Sequence, residues 1–486
     1  MKRSRQLAAS TALFGAYALA CWSDDGAIQG SMAAHNRFGE LAVLSTNNFS
    51  VGTSNGFFAN LGSNGRTCGT CHVHGQAETL TPEHVRSVAA RNRYDPLFAP
   101  VDGSDCPPEG PNQPADARRS SVLLRYGLIR VQLAIPTGAE FSLAGVTNPK
   151  GCAIAPGDAA IHNELFLFRR PLPAANLSFL STVMWDGRET LHKITTAAGL
   201  SGLDGLIADL GSQANDATLG HAQATHAIAG SLAQSDILTF ERNLFTAQVR
   251  VHGVDLSSAN GGPGYLASTV APAFFIGQND PLGKDFTSKV FTLYSEWEPG
   301  QTPEAKGIKA AIGRGEKIFN THTFTIANVG GLNSSSNDPL YNPSDPFANT
   351  PITGTCGTCH NSVNVGNHST SLPLNIGVTM AQLTDNYDRL VKDRLDIENL
   401  PVYTLASSTG TTVQVTDPGR ALITGQWADI GKTKGPILRG LAGHASYFHN
   451  GSARDLRSVV DFYNARFNIG LTSDEVADLV AFLAAL

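Results

Sequence analysis

A mainly α fold, with two helical domains joined through long loops, is what the sequence predicts, and three observations carry that expectation. The chain has 486 residues, a length that favours two or three domains over one. Apolar residues recur at helical spacing behind recognisable N-cap residues in both halves. The 49 glycines and 25 prolines are scattered along the chain, as in long loops between short helices, and no β-rich block or short-period repeat stands out.

The elements follow in chain order. Lys2, Arg3 and Arg5 precede an apolar stretch over 7–20, the pattern of an export signal and too short for a comfortable membrane span. Cys21 follows Ala18-Leu19-Ala20, which admits either a lipid anchor at Cys21 or a simple cleaved signal with a spare cysteine. Residues 1–21 are therefore read as the signal, and the mature chain as periplasmic with or without that anchor. Thr81-Pro82-Glu83 opens a helix. The stretch from about 95 to 180 is loop-rich, with short apolar runs such as 121–135, and reads as an insertion. A turn-rich break at Glu298-Pro299-Gly300-Gln301-Thr302-Pro303 divides residues 22–300 from 301–486. After it, Thr302 is expected to cap a helix carrying Ile308, Ile312 and Phe319 on one face. Thr472 and Glu475 form a capping box for a terminal helix whose stripe is Val476, Leu479, Val480, Leu483 and Leu486.

Composition narrows the function. Hydrophobic residues make up 42%, so ordinary cores can form; charged residues are 16% and the net charge is −6. There is no basic bias, which argues against a nucleic-acid partner.

The chemistry lies in the cysteines. Cys68-Gly69-Thr70-Cys71-His72 and Cys356-Gly357-Thr358-Cys359-His360 are two copies of C-x-x-C-H. Thiols at this spacing reach the two vinyl groups of one porphyrin and become thioethers, and the adjacent histidine gives an imidazole nitrogen to iron. Zinc would need four converging ligands, and a redox dithiol needs no histidine. Two covalently bound haem c groups are therefore expected, with His72 and His360 as iron ligands, and the fold expectation sharpens to two cytochrome c-like haem domains. Cys106 and Cys152 lie in Pro/Gly-rich sequence and are expected to form a disulfide in an oxidising compartment. Cys21 is then the odd cysteine.

Further segments resemble the bacterial di-haem cytochrome c peroxidase and MauG superfamily. Pro436-Ile437-Leu438-Arg439-Gly440-Leu441, Tyr447-Phe448-His449-Asn450-Gly451 and the helix leading to Tyr463 are similar to that family's P-x-L-R…Y-F-H-D-G segment. Met184-Trp185-Asp186-Gly187-Arg188 is similar to its W-D-G-R segment. The resemblance covers roughly 55–486, with insertions. It implies peroxide cleavage at the N-terminal haem, an electron store at the C-terminal haem, and electron transfer near a tryptophan, which Trp185 matches. It also implies a distal ligand to the second haem from the helix after Y-F-H-D-G, Met in the peroxidases and Tyr in the MauG-like branch. Tyr463 occupies that position, on the same helical face as Leu456, Val459 and Val460. Met380 competes with it, and a core tyrosine beside the haem is the other reading.

One position departs from the family. Where a catalytic Glu is implied, the sequence reads Asp216-Ala217-Thr218-Leu219-Gly220-His221, so Thr218 stands in its place. Heterolysis of an O–O bond needs a proton shuttle; His221 or Asp216 is the substitute, or else His221 caps the iron. His74, His368 and His444 are uncommitted, and Arg188 fits a haem propionate or an ordinary salt bridge equally. The implied partners are hydrogen peroxide and either a small donor protein (a cytochrome or cupredoxin) or an oxidisable protein substrate. A Ca2+ ion between the domains occurs in the family, although no compact Asp/Glu loop identifies one here. Three functions remain open: a peroxidase-like or MauG-like enzyme, a non-enzymatic di-haem electron carrier, and an oxygenase of the same architecture.

Overall fold

The computed structural model describes residues 30–47, 54–110, 113–152, 164–192, 200–257, 262, 277, 279–282, 286–303, 305–380 and 397–486. The expected export signal, with Cys21, lies outside the described residues.

The structure corrects the mainly α expectation. Among the described residues eleven strands form four sheets beside nine helices. Strands β1 (Gly30–Asn36) and β2 (Gly39–Ser45) make a hairpin, its turn held by the Asn36 side chain, which accepts from the backbone of Phe38 and Gly39. β2 then pairs with β6 (Leu244–Val251), which carries the short β7 (Val254–Asp255). β3 (Ile129–Ala134) pairs with β5 (Glu164–Arg169). β4 (Phe141–Thr147) joins β10 (Val402–Ser407) and β11 (Thr412–Val415), and β8 (Phe324–Ile326) pairs with β9 (Ile352–Gly354). These strands are short, and several find partners far along the chain. Their stability comes from cross-strand packing rather than local propensity, so a local reading takes them for loops. The β4–β10 pairing also ties sequence on either side of the break near residue 300 into one sheet.

The helices match the sequence more closely. Helix α1 (Pro82–Arg91) starts at Pro82, with the Thr81 side chain accepting from His84 N. α2 (Ser121–Tyr126) falls in the loop-rich stretch, α3 (Leu200–Gly220) and α4 (Leu232–Arg242) follow, and α5 (Gly307–Thr321) begins the last third. Thr302 does not cap α5: its hydroxyl donates to Glu296 O, and Lys306 is the N-cap without a side-chain bond. α6 (Cys356–Cys359) is the second C-x-x-C turn, α7 (Ala421–Thr424) is a single turn, and α8 (Leu456–Arg466) and α9 (Ser473–Ala484) close the chain. The Thr472–Glu475 capping box forms. α5 crosses α9 where a Cβ on Gly315 would sit 2.1 Å from Asp478 O, so only glycine permits the contact. Ile312, Phe319, Val476, Leu479, Phe482 and Leu483 fill that interface. Cys106 and Cys152 are disulfide-bonded, with Cα atoms 5.3 Å apart.

Candidate functional site

The segments Thr67–His72 and Thr355–His360 share one sequence and one local fold. In each, the second threonine hydroxyl accepts from the first threonine's backbone N–H at 3.0 Å, and the histidine N–H donates to the first cysteine's carbonyl at 3.0 Å. His72 Nδ1 donates to Glu78 O at 3.2 Å, and His360 Nδ1 to Gly366 O at 2.6 Å, six residues on in both cases. This bond fixes the tautomer and leaves Nε2 with its lone pair. Phe57 lies 6.1 Å from the His72 ring and Phe319 6.2 Å from the His360 ring. Burial lowers the pKa of both imidazoles, that of His72 to about 4, so each is held neutral.

Each motif opens on its own cavity. Cys68, Cys71 and His72 line one of about 1900 Å³, and Cys356, Cys359 and His360 line another of about 1440 Å³, both counted with their open mouths. The four cysteines are free thiols, and burial pushes them up, Cys68 to about 12 and Cys71 to about 11. They are therefore not poised as thiolates for dithiol exchange, and no group of three or more His, Cys, Asp or Glu able to hold a metal occurs among the described residues. Paired thiols, a neutral imidazole with a directed Nε2 and a large void fit a thioether-bound haem.

The first cavity also carries acid–base equipment. One face of α3 presents Leu210, Ala214, Ala217 and Thr218 to it, and His221 follows just past the helix end. Thr218 cannot serve as the missing carboxyl, because its hydroxyl donates to Ala214 O at 2.8 Å. Asp216 is exposed and is not among the lining residues. His221 is the group that arrives: its Nδ1 lies 2.5 Å from Asp102 Oδ2, and Asp102 in turn pairs with Arg66. Burial alone would raise the Asp102 carboxyl, but Arg66 and the hydrogen bond from His221 hold it at about 2. An ionised Asp102 accepts a hydrogen bond from Nδ1–H and leaves His221 Nε2 as a proton acceptor. Glu241 also lines this cavity; burial, with Glu78 nearby, pushes it up to about 8.

Trp185, Lys434, Pro436, Leu441, Tyr447 and Phe448 line both cavities and form the wall between them. Trp185 Nε1 donates to Arg170 O at 2.9 Å, and its carbonyl accepts from Lys434 N at 2.9 Å. Next to it, the buried Asp186 pairs with Arg169 at 2.5 Å, and Arg169 reaches Asp417 at 2.7 Å. Arg188 pairs with Asp186 at 3.1 Å and lines the first cavity.

The second cavity is mostly apolar. Leu456, Val459, Val460 and Tyr463 of α8 line it together, and the Tyr463 ring centroid is 6.4 Å from that of His360, nearly perpendicular. Met380 does not line it; the residue packs with the β10 and β11 core, and its sulfur accepts from Asn375 Nδ2 at 3.6 Å. His368 lines the second cavity and His444 the first, while His74 pairs with Glu78 at 2.5 Å and lines neither. Asp102, Arg66, Glu241 and Lys434 escape the sequence reading: none sits in a motif quoted from the sequence, and only folding brings them to the cavities.

No family model matches the chain. The cytochrome-c peroxidase IdrP2 of Denitromonas iodatirespirans is 32% identical over 144 residues, which cover 27% of this chain and 36% of that protein. The chain thus spans about a third of that relative's length. A solved MauG-like protein associated with microbial copper homeostasis is 16% identical, with 66% of this chain and 76% of that chain covered and a TM-score of 0.28. Over those 144 residues the chain is similar to a cytochrome-c peroxidase.

Proposed function

We propose that the chain is an exported, periplasmic di-haem c-type oxidoreductase of the peroxidase kind. Its halves, 22–300 and 301–486, each hold one haem, through Cys68, Cys71 and His72 and through Cys356, Cys359 and His360. The haem supplies the redox chemistry when bound, and the protein supplies position and protons. Hydrogen peroxide enters the first cavity, and His221 Nε2 takes and returns its proton while Asp102 keeps the ring oriented. Trp185 stands between the two cavities, on the electron path of this reading, and Tyr463 would help hold the second haem through its iron. A tyrosine ligand lowers the iron potential relative to methionine, which favours an oxidisable protein as reductant over a small cytochrome or cupredoxin.

The observation that carries this reading is the Arg66–Asp102–His221 chain ending in the first cavity. A second reading draws on the same geometry: a carboxylate behind an imidazole also strengthens it as a metal ligand, and an iron capped by His221 would make the chain an electron carrier. Peroxide added to the haem-loaded, partly reduced protein separates them. The enzyme reading expects rapid spectral change and turnover, and the carrier reading expects none until His221 is removed.

A further inference from the structure

The wall shared by the two cavities holds a cation with no carboxylate paired to it among the described residues. Lys434 is 6% exposed and lines both cavities. Its ammonium donates to Thr182 O at 3.0 Å, and among the described residues no ion pair with a carboxylate involves it. Burial pulls its pKa down to about 7. Neighbouring cations are treated differently: Arg169 is clamped between Asp186 and Asp417, and Lys432 pairs with Asp429 at 2.9 Å. Two more buried cations line the first cavity with only backbone carbonyls as hydrogen-bond acceptors. Arg170 donates to Leu80 O and Ser446 O, and Arg439 to Asn364 O. Arg170 Nε and Arg439 Nη2 have no partner. A buried charge is strongly disfavoured unless an opposite charge meets it, so this wall is incomplete without an anion from the cavities. A porphyrin of the haem type brings two carboxylates.

We propose that Lys434 is the common counter-ion of the two haems, its ammonium facing a porphyrin carboxylate in each cavity. The inference rests on the haem loading proposed above. One positive charge in the wall then favours the reduced state of both irons, and its removal favours the oxidised state of both.

The test is a redox titration of the holoprotein followed by visible absorption, after haem has been counted in each preparation. A preparation with fewer than two haems in the unaltered chain counts against the loading itself, separately from the role of Lys434. In Lys434→Met carrying two haems, the reduced-to-oxidised ratio at a fixed ambient potential should fall about ten-fold for each haem, the scale of a unit charge acting over roughly 10 Å at an effective dielectric of about 20. Lys434→Arg should restore both ratios. Unchanged ratios, or a fall at one haem alone, would overturn the shared role. If Lys434→Met and Lys434→Gln both mature without two haems while Lys434→Arg matures normally, the charge itself holds the groups and the proposal stands. If all three fail alike, the residue is steric filler and the proposal falls.

Discussion

Thr67–His72 and Thr355–His360 have the same sequence and nearly the same geometry, down to the flanking phenylalanine at 6.1 and 6.2 Å, yet they face chemically different cavities. The first is met by the Arg66–Asp102–His221 chain, Glu241, Arg170 and Arg439; the second has no Asp or Glu in its lining among the described residues and meets a face of Leu456, Val459, Val460 and Tyr463. Attachment is thus a local property of six residues, whereas reactivity depends on what distant elements bring to the open side. On the function proposed above, one motif is then built for turnover and its copy for storage.

The sharpest way to break that comparison is His221→Ala. With His221 as proton shuttle, initial rates of peroxide consumption should fall by about 10²–10⁴-fold while the spectrum of the second haem stays unchanged. A rise in rate would identify His221 as a blocking ligand instead. Asp102→Asn should act through the same ring, since it releases the tautomer; a loss of about 10–100-fold is the usual scale for such a partner. A rate equal to that of the unaltered chain would remove Asp102 from the account.

Acid should also act on the wall and the first cavity. Asp102 and Asp186 are held at about 2, below the ordinary 3.8. Their stabilisation is fully present above about pH 4 and is lost as the pH falls through about 2. Each contributes about 2 kcal/mol. Denaturant midpoints measured from pH 5 to pH 2 should fall in the unaltered chain and fall less in Asp102→Asn. Tyr463→Phe should have the smallest effect on peroxide consumption, within a few-fold, but should shift the second haem's spectrum and raise its potential. An unchanged spectrum would make Tyr463 a packing residue.

The two C-x-x-C-H segments were legible in the sequence because each is contiguous, and their shared local fold follows from the flanking threonines. Trp185, His221 and Tyr463 were also legible, and the structure brings each to a cavity wall. The strands were not: β4 and β10 stabilise each other across a long separation, which no local window registers. Asp102 lies in a loop 119 positions from His221, and Lys434 looks in sequence like any solvated lysine. Buried polar groups of this kind are specified by tertiary packing, so only the folded chain shows them. Met380 looked a fair competitor to Tyr463 by distance along the chain, yet the bridge from Met380 to Val415 holds it on the β11 side.

The claim that one motif serves two chemistries is tested most directly by low-temperature electron paramagnetic resonance of the oxidised protein carrying two haems, recorded with and without cyanide. The expected spectrum has one high-spin centre, converted by cyanide and retained in Tyr463→Phe, and one low-spin centre that cyanide leaves alone. Two low-spin centres, both indifferent to cyanide, would contradict it.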